Sequence, residues 1–258
     1  MSSEFPSRLT RLAPRITAAG DWRSLAVLLV VAFSTQFSAN AQSNLTVTVN
    51  NIPSGNPAVP ATRQGEVRLY NSSGVLVGTQ TTNASRQVSF PNLPAGTYRY
   101  EVRHLGGMFG NVEYWGERYG LVIGSSAVSE TFTRNQPYLS QIRFFNNATN
   151  LLINWGATIS SGTVVRAEIT MTSPAAGTGG GANGTVTGTV YVDRSQGSPF
   201  DFAKSCGSAF VNVGGTVTVS CATFTPSLGT YYVAGVFRNE NIVTDTLGWG
   251  MGAAFTVS

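Results

Sequence analysis

The sequence predicts an all-β protein, with two consecutive β-sandwich domains behind a cleaved signal peptide. Three observations carry this. Apolar residues recur at every second position after Gln42, with almost no helical periodicity. Gly, Pro and Asn break these runs at short intervals, the spacing of a sandwich rather than of helices. Charged residues are only 11% of the chain, less than half the usual share of about 25%, and Gly, Ser, Thr and Asn fill the polar positions.

The chain opens with a polar, basic stretch containing Arg8, Arg11, Arg15 and Arg23. The nine-residue apolar run Leu25–Phe33 follows, and Ala39-Asn40-Ala41 has the small-x-small pattern of a signal peptidase site. Residues 1–41 are therefore read as a signal peptide, and the mature chain is expected to begin at Gln42. The apolar run falls well short of the roughly 20 residues a spanning helix needs. No other apolar run approaches that length, so no membrane span is expected in the mature chain. Four of the 16 basic residues lie in the leader. The mature surface is thus close to neutral, with eleven scattered arginines and the single lysine Lys204. Nucleic acid is excluded as a partner, because phosphate binding needs clustered Lys and Arg.

Strands of the first domain, residues 42–135, are read in order. Leu45–Val49 alternates cleanly. Glu66–Tyr70 and Gly74–Gly78 flank the turn-forming Asn71-Ser-Ser73. Val88–Phe90 leads into Pro91-Asn-Leu-Pro-Ala-Gly96. Thr97–Arg103, Tyr114–Ile123 and Val128–Thr133 complete about seven strands. The N-terminal strand Asn44–Asn50 is expected to pair within its own domain. Pairing with a neighbouring subunit by strand addition is the alternative, so self-assembly stays open.

Asn135-Gln-Pro137 is read as the domain boundary. The second domain, residues 136–258, offers Leu139–Phe145, Leu151–Trp155, Thr163–Thr172, Thr185–Asp193, Ala209–Val213, Thr216–Ala222, Thr230–Arg238 and Ala253–Val257. The Gly-rich segment 173–184 is expected to be a mobile loop, since it has little apolar surface to bury. Cys206 and Cys221 lie symmetrically about the step Val213-Gly214. A hairpin turning there sets them opposite each other, within disulfide reach. An exported chain matures where disulfides persist, so a Cys206–Cys221 hairpin bridge is expected.

The strand Gly65–Asn71 with its turn, and then Phe90-Pro-Asn-Leu-Pro-Ala-Gly-Thr-Tyr98, carry a resemblance. This stretch resembles the prealbumin-like sandwiches grouped as carboxypeptidase regulatory-like or collagen-binding B-type domains, closely over about 40 residues and loosely over about 44–135. It implies a prealbumin-like β-sandwich for the first domain. The pattern expects Phe90 and Leu93 in the core, Pro94 and Gly96 at a corner, and Tyr98 facing inward. The Lys–Asn crosslink of many collagen-binding B-type domains is excluded, because this domain holds no lysine. The remainder resembles an extracellular Ig-like sandwich through its Gly229-Thr-Tyr231 strand.

Catalytic motifs are missing. His104 is the only histidine, so a His-rich zinc site is excluded, and no Gly-x-Ser-x-Gly elbow, phosphate loop or dinucleotide fingerprint occurs. His104 reads as a solvated strand-end residue. Glu113/Glu117 and Asp193/Asp201 are read as solvated edge charges rather than a glycosidase pair. Asp193, Asp201 and Asp245 lack an acidic-loop motif, so no metal and no cofactor are expected. The aromatic segment 108–119 is weighed two ways. Tyr114, Trp115 and Tyr119 beside Glu117 and Arg118 would form a sugar-stacking platform. The competing reading, which alternation favours, turns Tyr114 or Trp115 into the core. A second aromatic corner, Asp245–Met251, would use Trp249 as a plug.

The sequence thus points to a secreted or cell-surface protein, with the periplasm a further compartment. A non-catalytic structural or adhesive sandwich is the leading reading, and a carbohydrate-binding accessory module using residues 108–119 is the alternative. The expected partner is an extracellular protein or a polysaccharide.

Overall fold

A computed structural model describes residues 42–50, 64–175, 181–197 and 199–258. The proposed signal peptide and cleavage site lie outside the described residues. So do residues 176–180 at the centre of the Gly-rich segment.

The first half holds seven strands: β1 (Gln42–Asn50), β2 (Glu66–Asn71), β3 (Leu76–Thr81), β4 (Gln87–Pro94), β5 (Gly96–His104), β6 (Glu113–Ile123) and β7 (Val128–Thr133). They form a three-stranded sheet, β4-β1-β7, facing a four-stranded sheet, β3-β2-β5-β6. The N-terminal strand takes the centre of its sheet, antiparallel to β4 and parallel to β7. Its pairing is therefore internal. Alternation sends Leu45, Val47 and Val49 inward from β1, and Tyr98, Tyr100 and Val102 inward from β5.

The chain changes sheets between β4 and β5. Phe90 and Leu93 are buried there, and the Tyr98 hydroxyl donates to the Pro94 carbonyl at 2.8 Å, closing the corner. At the β2–β3 turn, Asn71 Oδ1 accepts from the amides of Ser73 and Val75, both at 3.0 Å. Gly74 sits at φ +77, which only a residue lacking Cβ adopts cheaply.

The second half holds eleven strands: β8 (Tyr138–Asn146), β9 (Leu152–Ile153), β10 (Ala157–Ile159), β11 (Val165–Thr172), β12 (Gly184–Asp193), β13 (Phe202–Ser205), β14 (Ala209–Val211), β15 (Thr216–Ser220), β16 (Gly229–Asn239), β17 (Ile242–Leu247) and β18 (Phe255–Val257). A four-stranded sheet, β15-β11-β8-β9, faces a larger one ordered β10-β18-β16-β12-β13, with β14 on β12 and β17 on β16. Phe144, Phe255 and Tyr231 centre the core, Phe255 lying 5.3 and 5.4 Å from the other two rings. The buried apolar residues fall into two separate groups, residues 45–132 and residues 139–257.

The cysteines are joined, but not across a hairpin ladder. The turn forms as expected, with Gly215 N–H donating to Asn212 O at 2.8 Å. Its arms then diverge, since β14 pairs with β12 and β15 with β11. Cys206 and Cys221 meet at an isolated antiparallel bridge. The bond therefore pins one sheet of the sandwich to the other. The flanks of the Gly-rich segment are anchored: Ser173 N–H donates to Gly215 O, and Ala182 N–H to Asn135 O, both at 2.9 Å.

Candidate binding face and domain junction

The outer face of β3-β2-β5-β6 gathers most of the first domain's charge. Alternation points Glu66, Arg68 and Tyr70 outward on β2, and Arg99, Glu101 and Arg103 outward on β5. The register sets Glu66 opposite Arg103, Arg68 opposite Glu101, Tyr70 opposite Arg99 and Glu101 opposite Glu117. Opposite charges thus meet directly. Arg68 Nε bonds Glu66 at 2.7 Å, and Arg99 Nη1 bonds Glu101 at 2.8 Å and reaches Glu117 at 3.6 Å. Arg103 lies 3.4 Å from Glu66 and 3.5 Å from Glu101. Three carboxylates and three guanidinia make a neutral lattice.

Aromatic rings complete this face. The Arg99 guanidinium lies 4.1 Å from the Tyr70 ring centre and 6.0 Å from that of Tyr119. Tyr119 is 57% exposed. A hydrogen bond to Glu117, then burial, raise its phenol pKa. Burial first, then the Glu117 charge, raise that of Tyr114. A cleft of about 300 Å³ opens at the end of the face, between the β2–β3 turn and Tyr119, with Asn71, Gly74, Thr97 and Arg99 in its lining.

The residues proposed from sequence are divided by the fold. Tyr114, Glu117 and Tyr119 share this outer face. Arg118 turns to the sandwich edge and meets Glu130 of β7 at 3.8 Å. Trp115 is fully buried in the first core, so its ring has no face to offer a ligand. The 108–119 segment is therefore not one platform. Its outward half joins Tyr70, Arg99 and Glu101, which sequence reading passed over although the alternation in β2 and β5 marked them.

The other half of the segment belongs to a polar junction between the two cores. Glu113, expected as a solvated edge charge, is fully buried because β6 packs against β17. Its Oε2 accepts from the Trp115 indole N–H at 2.9 Å, and its Oε1 accepts from the Thr246 hydroxyl. The Thr246 hydroxyl also accepts from the Met108 amide at 2.9 Å. His104, expected to be solvated, stacks on Trp115 at 5.7 Å with its Nδ1 3.6 Å from Glu113. Beside them Arg134 donates to the Thr244 carbonyl and lies 3.8 Å from Asp245, whose Oδ2 accepts from Leu139 N–H at 3.0 Å. The boundary region Asn135-Gln-Pro137 is thus no loose linker. Asn135 N–H donates to Trp115 O at 3.1 Å, and its side chain lies where a Cβ on Gly116 would have to be.

Four rings plug the rim of this junction. Phe109 lies 4.9 Å from Tyr191 and 5.4 Å from Phe200, and Phe200 lies 5.9 Å from Trp249. The segment read as a corner from Asp245 includes the end of β17, and Trp249 follows that strand.

Asp193 and Asp201 organise a loop. Asp193 Oδ2 accepts from the Ser195 amide, the Ser195 hydroxyl and the Gly197 amide, and its Oδ1 from the Asp201 amide. Burial alone would raise the Asp193 pKa, but these hydrogen bonds outweigh it and hold it at about 2. Asp201 forms a two-point pair with Arg194, at 2.9 and 3.0 Å. Among the described residues, no three His, Cys, Asp or Glu side chains gather as a metal site. No described helix is long and apolar enough to cross a membrane.

No protein-family profile matches the chain, and no curated protein matches it. Solved structures do match weakly. A DUF3823 family protein from Bacteroides ovatus is 13% identical, covering 83% of this chain and 98% of that one, with a TM-score of 0.33. The major pilin SpaA of Corynebacterium diphtheriae is 12% identical, covering 77% and 63%, with a TM-score of 0.37. The major pilin subunit BcpA of Bacillus cereus is 14% identical, covering 79% and 65%, with a TM-score of 0.32. Similarity at this level carries no argument about this chain.

Proposed function

We propose that this chain is an exported, non-catalytic structural or adhesive β-sandwich protein, acting outside the cell or at its surface. The observation that carries this reading is where its carboxylates go. Glu66 and Glu101 are held by arginines, Glu113 by Trp115 and Thr246, Glu168 by Arg143 and Arg166, Asp193 by loop amides, and Asp201 by Arg194. Glu101 and Glu117 are directly opposite, but Arg99 Nη1 touches both. The pair grips a guanidinium rather than a scissile bond. The expected partner is an extracellular protein or a polysaccharide, with no cofactor. In the test, the purified exported protein is screened against glycosidase, esterase and peptidase substrates, and separately for retention on immobilised matrix proteins and polysaccharides. Retention without turnover supports the proposal. Turnover abolished by Glu101→Gln overturns it.

The second reading, a carbohydrate-binding accessory module, draws support from the cleft beside Tyr119. An exposed ring flanked by Glu117, Arg99 and Asn71 offers a stacking surface and hydrogen-bonding groups of both kinds to a neutral sugar. Loss of polysaccharide binding in Tyr119→Ala, with the thermal melt unchanged, supports this reading. Binding that survives Tyr119→Ala rejects it.

A further inference from the structure

Strand addition through the N-terminal strand is closed, because β1 is paired on both sides. The remaining edges are guarded in different ways. Strand β4 carries Pro91 and Pro94. Strand β6 carries Glu113, Glu117 and Arg118, and β7 carries Glu130. Strands β9 and β10 are two and three residues long. Strand β15 is neutral, but the Cys206–Cys221 bond and the Gly207 N–H donating to Ser220 O at 2.9 Å cover its end. Strand β17 packs on β6.

Strand β3 has none of these protections. It pairs only with β2 among the described residues. From Ser72 to Ser85 there is no charged residue and no proline. Val75, Leu76 and Val77 are 60%, 49% and 44% exposed. Natural sheets rarely leave such an edge open.

The ladder shows which backbone groups face outward. Thr82 N–H donates to Gly65 O at 2.9 Å, so that pair is hydrogen-bonded. The antiparallel alternation then turns Gln80 and Gly78 toward β2, and leaves the amides and carbonyls of Thr79 and Thr81 directed at the free edge. We infer that two copies of this chain pair β3 against β3, antiparallel, about a two-fold axis at Gln80. That register puts Thr79 opposite Thr81 of the second copy, and the reverse, so every outward group of the two threonines finds a partner.

Charge explains why the occupant is a second copy. Arg68 shares a row with Thr79, and Glu66 shares a row with Thr81. Pairing about Gln80 therefore continues the Arg68 row of one copy into the Glu66 row of the other. Opposite signs fall in line, whereas self-pairing of β7 about Glu130 would set like charges together. This inference goes beyond the adhesive reading, since it requires no ligand.

The test measures the oligomeric state of the purified protein by sedimentation and light scattering across concentration, with two variants. Cys206 and Cys221 are bonded and no free cysteine exists, so Gln80→Cys introduces one reactive thiol. At the axis its partner lies about 4.5 Å away at Cα, within disulfide range. Oxidation is expected to convert this variant to a covalent dimer. Thr79→Pro removes an N–H that faces the edge and leaves the β2 ladder intact. It should weaken dimerisation by about tenfold or more with the monomer's melt unchanged. If Thr79→Pro fails to fold, Thr81→Lys, which charges the same edge, must give the same weakening. A protein that stays monomeric up to about 1 mM overturns the inference. So does a dimer that survives the edge variants and does not cross-link through Gln80→Cys.

Discussion

Replacing Thr246 with Val tests whether the two sandwiches are joined by the buried polar junction rather than by apolar contact alone. The substitution keeps the side chain's shape and removes one hydroxyl. That hydroxyl, on β17 of the second sandwich, donates to Glu113 and accepts from the Met108 amide of the first. Its loss leaves a fully buried carboxylate short of one donor. A hydrogen bond to a charged group contributes about 1.5–3 kcal/mol, and an ordinary one about 1 kcal/mol. The two together come to about 3 kcal/mol. For a domain pair of this size each kcal/mol lowers the melting temperature by about 2–4 °C, so a fall of about 6–12 °C is expected. Because the lost bonds join the sandwiches, calorimetry should also show one transition separating into two. Thr246→Ser keeps the hydroxyl and should recover most of the loss. A Val variant that loses under about 1 kcal/mol with a single transition, or a Ser variant that loses as much as Val, refutes the reasoning.

Three further outcomes are expected. Trp115→Ala should cost about 3–5 kcal/mol in urea denaturation, because the whole indole is buried, whereas Tyr119→Ala, at an exposed ring, should change stability by less than about 0.5 kcal/mol. The Asp193 pKa is about 2 in the fold against 3.8 as the ordinary value, so its stabilisation is complete above about pH 4 and is lost as pH falls through 2; Asp193→Asn should lose about 2 kcal/mol at pH 7 and flatten the acid limb of the stability curve. Reducing Cys206–Cys221, which closes a separation of 15 residues, should cost roughly 3 kcal/mol, measured as a shifted denaturation midpoint with and without reductant.

Much of the fold was legible because a half-buried strand writes itself as alternation. Leu45–Val49 and Thr97–Arg103 each bury one parity, and both emerged as strands of about the expected length. The Phe90–Tyr98 corner was legible for a different reason: Pro94 and Gly96 restrict the chain locally, whatever surrounds it. Strands recognised only through their neighbours were lost. Ala157–Ile159 is a strand because Phe255–Val257 lies beside it. Ile242–Leu247, where β16 and β6 flank it, buries four successive residues, Thr244 to Leu247, and so shows no alternation to read. The same limit misplaced the cysteine pair's context. Symmetry about Val213-Gly214 located the bond, but sheet membership, which decides whether the arms stay together, depends on β11 and β12.

The candidate site divides along the same line. Alternation in β6 already required that Tyr114 and Trp115 face opposite ways, and the outward lattice of Arg99, Glu101 and Glu117 follows once register is known. Register is a long-range property, so no local pattern assigns Arg99 to Tyr70 and Tyr119. Glu113 was misjudged for a more general reason. A carboxylate in a strand of low-charge sequence reads as an edge residue, because burying a charge costs several kcal/mol unless partners meet it. Those partners come from residues far away in sequence, Thr246 among them. A buried polar group of this kind discriminates between interfaces in a way apolar contact does not, since a misdocked second sandwich would leave Glu113 and the Arg134–Asp245 pair unsatisfied. The junction therefore fixes one arrangement of the two sandwiches. The exposed β3 edge and the Tyr119 cleft are both carried on the first sandwich, so each is presented from a defined position rather than from a swivelling arm.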